Sequence, residues 1–173
     1  DDAFTQRTGV AGALAWLRLA TAPERALPGH EMLSAARRPP RGLSPRLIEW
    51  MSERSSPREL MRLAEYPREE PDQIQVTDFV ADLMRLRQLV DDDATTEQVL
   101  LFVRDELGLG AALEQRLDAS RRSVDRSAHS DDLAALLAVA RHQPDPKAFP
   151  DWLSQRLQER RAEPGGVRLS TIH

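Results

Sequence analysis

Between Ile74 and Val90 the apolar residues Val76, Phe79, Val80, Leu83, Leu86 and Val90 recur every three or four positions. That spacing puts them on one stripe of a helix about five turns long, and a stripe of this kind is stable only when another element covers it. The same period returns in shorter pieces: Val10, Ala13, Leu14 and Leu17 within 10–20; a weaker segment over 27–36; Leu133, Leu136, Leu137 and Ala140 within 131–141; and Phe149, Trp152, Leu153 and Leu157 towards 161. Between the pieces stand proline, glycine and capping residues. Ser44 with Pro45, and Ser56 with Pro57 and Glu59, carry the signature of a helix start, as does Thr95 with Gln98 three residues on. "RRPPRG", "GLGAAL" and "QPDPKAFP" break helices, and the polar run over 118–131 has no apolar period and reads as a loop. The expectation is an all-α, irregular multi-helix domain of eight or nine short helices with helix-hairpin-helix-like turns. One short C-terminal strand, "GVRLSTIH", follows the turn at Pro164–Gly166. The helical domain is placed at 1–165 and the strand at 166–173.

Composition excludes several kinds of chemistry. The 173 residues contain no cysteine, so disulfides, thiolate zinc sites and cysteine nucleophiles are out. The four histidines, His30, His129, His142 and His173, have no metal-ligand spacing. Lys147 is the sole lysine and lies in "DPKAFP", which is not a phosphate-binding loop. No apolar run approaches a membrane span, and the expected location is cytoplasmic, with no membrane partner. Acid pairs such as Asp131–Asp132 read as helix-dipole complements.

The charge pattern is more informative than the net charge of −4. Arg37, Arg38, Arg41 and Arg46 crowd into ten residues, and no acid occurs between Glu31 and Glu49. Gly42 stands just ahead of the helix start at Ser44. A glycine at a helix N-terminus lets a phosphate approach unpaired backbone N–H groups, a contact blind to base sequence. The same residues also describe an ordinary interhelical turn with solvated arginines. Gly108 and Gly110 in "LGLGAAL" offer a weaker version, which reads better as a C-cap. Arg121, Arg122 and Arg126 form a further cluster, diluted by Asp118 and Asp125.

Three segments resemble, in order and spacing, the UvrD/Rep/PcrA-type superfamily 1 DNA helicases. Phe4, Arg7, Val10, Ala13, Trp16, Leu17 and Arg18 are similar to the segment that leads into the family's 2B domain, with Gly9 and Gly12 where acids are usual. "PPRGLSPRL" resembles the Gly-Ile-Gly turn of its helix-hairpin-helix, with Ser44 in place of the second glycine. "GVRLSTIH" resembles the start of motif V. The resemblance implies a 2B fragment of an ATP-dependent DNA helicase of the repair and recombination type. It implies a partner in duplex or fork DNA, met at Arg41, Gly42, Leu43 and Ser44 with added charge from Arg37, Arg38 and Arg46. It places Thr171 and His173 near single-stranded DNA, beside the RecA-like domains of the same parent chain. ATP and Mg2+ would belong to that parent. With no Walker motif, the fragment is expected to be inactive and to hold no cofactor. The alternative is a helical protein-interaction module that does not bind DNA directly.

Overall fold

The computed structural model describes residues 2–65, 70–119 and 128–162. Ten helices run through them: α1 (Asp2–Gln6), α2 (Thr8–Thr21), α3 (Gly29–Arg37), α4 (Pro45–Ser52), α5 (Pro57–Glu65), α6 (Glu70–Asp91), α7 (Thr96–Asp105), α8 (Leu109–Ala119), α9 (Ala128–Ala140) and α10 (Phe149–Ala162). The expected helical body with one strand is corrected to helices alone, since no strand occurs among the described residues. The segment assigned to that strand, 166–173, lies outside them. Two further differences concern a helix and a helix start, and the described residues hold ten helices where eight or nine were expected. The five residues of α1 carry no apolar period to announce them. The polar run over 118–131 turns helical at Ala128, so it is not loop throughout.

The core is organised around α2. Val10, Ala13, Ala15, Trp16, Leu17 and Leu19 are fully buried, which is burial on every side and not the single stripe its period suggests. Helices α3, α6, α7, α8 and α9 all pack on it. The stripe of α6 (Val76, Phe79, Val80, Leu83, Leu86) is buried as its spacing requires. Trp16 packs on Phe79 in a tilted arrangement with ring centroids 4.8 Å apart and donates its indole N–H to the Arg38 carbonyl at 2.8 Å. Helix α9 is tied to the α1–α2 junction by an ion pair between Arg7 and Asp132. Phe149 and Leu153 bury the start of α10. Arg87 of α6 donates to the carbonyls of Leu19 and Ala22, both at 2.9 Å. That contact satisfies acceptors which the end of α2 would otherwise leave unpaired.

The helix starts follow local chemistry. Ser44 Oγ accepts from the Leu47 N–H at 3.2 Å, and Thr95 with Gln98 forms the reciprocal capping box. At α5 the arrangement is displaced by one residue. Ser56 Oγ accepts from the Glu59 N–H, but the Glu59 carboxylate reaches past Ser56 to the N–H and hydroxyl of Ser55, at 2.8 and 3.1 Å. The Ser55 N–H, and then its hydroxyl, hold the Glu59 carboxyl below the ordinary carboxylate range. A depressed folded-state pKa gives stability that is present above the unfolded value and is lost as pH falls through the folded one. Urea midpoints of wild type and Glu59→Gln are therefore expected to differ at pH 7 and converge towards pH 3. Parallel curves across that range would show that the carboxylate contributes nothing.

Candidate functional site

The segment from Arg37 to Arg46 joins α3 to α4, two helices packed tightly against each other. A Cβ on Gly29 at the start of α3 would sit 2.5 Å from the Ser52 carbonyl oxygen at the end of α4, so only glycine allows this approach. The connection between them passes through a cis Arg38–Pro39 bond and then Gly42, whose φ is +72°. That left-handed conformation is the one glycine adopts freely, and it turns the chain into Ser44. Gly42, Ser44 and Arg46 are exposed, and Leu43 is buried beneath them. Helix α4 has proline at its first position and no acid in its first turn. With the Leu47 N–H taken by Ser44, the Arg46 N–H is a first-turn donor the helix itself cannot satisfy.

The arginines of this segment divide. Arg41 points inward, its side chain only 13% exposed. It donates to Asp82 Oδ2 at 2.6 Å and lies 5.4 Å from the Trp16 ring centroid and 5.7 Å from that of Phe79. Its Nε and the Oε1 of neighbouring Gln75 are buried without a partner. The Gln75 amide also packs beneath Gly42, 3.0 Å from where a Cβ would stand. Arg41 thus pins the turn to α6. Arg38 is half-buried and donates to Ser34 Oγ at 2.9 Å. Arg37 and Arg46 are exposed and make no ion pair among the described residues. Arg46 lies over the Trp50 ring, 4.6 Å from its centroid. The four-residue spacing of Arg46 and Trp50 on a helix was the sequence signal for that contact. Nothing local in the sequence pointed to Asp82 or Gln75.

The second glycine turn comes close to the first. Gly108 has φ +78° and opens α8 at the buried Leu109. A Cβ on Gly12 of α2 would meet the Arg38 Cβ at 2.9 Å and the Leu109 Cδ1 at 3.5 Å, so both segments converge on that glycine. A shallow hollow between them is lined by Thr8, Arg37, Pro40, Leu109 and Ala112. Arg104, near this turn, is neutralised by a two-bond pairing with Asp105 at 2.6 and 2.8 Å. The hydrogen bonds to Arg104 also hold the Asp105 carboxyl below its usual range. Thr171 and His173, and the cluster of Arg121, Arg122 and Arg126, lie outside the described residues.

Elsewhere, a groove of about 620 Å3 runs between α5 and α6, lined in part by Pro57, Met61, Val80 and Met84. Met61 and Met84 are 39% and 49% exposed. Among the described residues no group of His, Asp and Glu could hold a metal ion, and no helix is long and apolar enough to cross a membrane. Compared with family models, curated proteins and solved structures, the chain finds no match.

Proposed function

We propose that this chain is a helical accessory domain, of the 2B kind found in superfamily 1 DNA helicases, that grips the backbone of duplex DNA at the turn from Pro40 to Arg46. The observation that carries this reading is the turn itself: an exposed, left-handed Gly42 two residues ahead of a capped helix, with two unpaired, exposed arginines beside it. Such a surface suits a phosphate and carries no groups arranged to read bases. On this reading Arg37, Arg46 and the backbone from Gly42 to Ser44 meet the duplex. Arg38 adds charge from half-buried ground, and Arg41 and Leu43 act from beneath as supports. The RecA-like motor domains, with their ATP and Mg2+, belong to the parent protein on the same reading.

Fluorescence anisotropy with labelled duplex and fork DNA across a salt series tests it. Removing one cation that neutralises a phosphate reduces the slope of log K against log[salt] by about 0.9. Arg37→Ala and Arg46→Ala are each expected to lower the slope by about that amount. Arg41→Ala is expected to weaken binding through the fold, with the slope retained. Salt-independent binding, or none, would sink the proposal.

A second reading is favoured by the α5–α6 groove. Exposed methionines make adaptable apolar contacts, and a groove that two of them line, with charged residues such as Arg58, Arg62 and Glu65 around them, suits an amphipathic helix from another protein. On that reading Met61→Glu disrupts binding to the partner and leaves any DNA affinity unchanged.

A further inference from the structure

We propose that Trp50 is a positioning residue for the duplex contact, its ring holding the Arg46 guanidinium along the first turn of α4 with the N–H edge free for a phosphate. The inference rests on the duplex reading above and adds to it a device for fixing the charge. Arg46 occupies the second position of an eight-residue helix that has no acid in its first turn. A cation there opposes the helix dipole, and would ordinarily extend into water, away from the N-terminal N–H groups. Trp50, one turn further on, holds it against the flank of the helix instead. Its ring is half-buried and packed against the core, so it is fixed, while Arg46 remains exposed. The guanidinium carbon stands 4.6 Å from the ring centroid, closer than Arg41 stands to Trp16 or Phe79.

The two arginines show what separates a structural contact from a poised one. Arg41 meets two rings and also a carboxylate, so its charge is already answered inside the protein. Arg46 meets one ring and no carboxylate among the described residues. A ring engages the face of a guanidinium and leaves the planar fork of N–H donors at its edge, the part that pairs with a phosphate in two parallel hydrogen bonds. Holding the side chain in one orientation before binding removes rotamer freedom that would otherwise be given up on association.

The test is a double-mutant cycle on the 173-residue chain, read by anisotropy with a labelled duplex at low salt and backed by urea unfolding of each variant. Trp50→Leu keeps an apolar side chain against the core but loses the π face, and is expected to weaken binding about two- to fivefold. Trp50→Phe keeps a ring and is expected to recover most of that loss. In an Arg46→Ala background, Trp50→Leu should cost nothing further. Arg46→Lys leaves the core untouched and keeps the charge without the planar stack, so it should weaken binding to a similar degree even if Trp50→Leu fails to fold. Equal affinities for Trp50→Leu and wild type, an undiminished loss in the Arg46→Ala background, or full affinity in Arg46→Lys overturns the assignment while the duplex reading stands. A wild-type chain with no salt-dependent affinity for duplex removes both.

Discussion

Trp16→Ala is expected to destabilise the fold by about 3–5 kcal/mol, the range for truncating a large buried aromatic. In a chain of this length that lowers the melting temperature by roughly 10 °C. The side chain is fully buried at the centre of α2, packs at a tilt on Phe79, and presents its ring towards Arg41. Its indole N–H is also the donor that satisfies the Arg38 carbonyl. Trp16→Phe separates these contributions, because it keeps an aromatic core and removes only the donor and part of the ring. It should fall between wild type and alanine, since it loses the one hydrogen bond from the indole to the Arg38 carbonyl, worth about 0.5–1.5 kcal/mol, and keeps most of the buried ring. Scanning calorimetry on the three proteins decides. A Trp16→Ala variant within about 1 kcal/mol of wild type would mean that α2 is not the centre of the core.

Gly29→Ala is the second large effect. The new methyl group would stand 2.5 Å from the Ser52 carbonyl oxygen, and backbone cannot swing aside as a flexible side chain can. Relief requires α3 and α4 to separate, at a cost of about 1–3 kcal/mol for overpacking of this kind. The separation would be felt at the functional turn, which is the connection between those helices. Gly29→Ala should therefore lose duplex affinity as well as stability, although Gly29 stands at the opposite end of α3 from the turn. A variant that binds duplex like wild type while melting earlier would show that the turn is held from α6 and α2, through Asp82, Gln75 and Trp16, and not by the α3–α4 contact.

The helix starts were legible because capping is settled within four residues. Ser44, Ser56 and Thr95 each hold the N–H their spacing assigns them, and the stripe of α6 is buried residue for residue. What the sequence hid depends on chain that arrives from far away. In helix α2 the run from Gly9 to Leu17 has no polar side chain, which marks burial on all sides, but which helices supply the cover, α3, α6, α7, α8 and α9, is settled only by the packing. Arg41 looked like its neighbours in "RRPPRGLSPR", and its different role is decided by Asp82, forty-one residues on. Composition therefore marks the basic turn but does not sort its arginines. That sorting is a matter of which side chains find a carboxylate or a ring once the helices have packed. The Glu59 carboxylate shows the same limit at short range: the spacing is that of a capping box, but the carboxylate bonds one residue earlier.

The clasp of Arg87 on the carbonyls of Leu19 and Ala22 bears on how the protein is made. Helix α2 precedes the guanidinium that closes its last turn by more than sixty residues, and α7 and α9, which complete its enclosure, come later still. This core helix is thus synthesised before α6, α7, α8 and α9, four of the helices that enclose it. During that interval it offers Trp16, Leu17 and Leu19 to whatever is near, the condition under which nascent chains associate wrongly or engage chaperones. A chain interrupted after α5 would remain in that state, which predicts that residues 1–65 expressed alone are insoluble while residues 1–173 together are not.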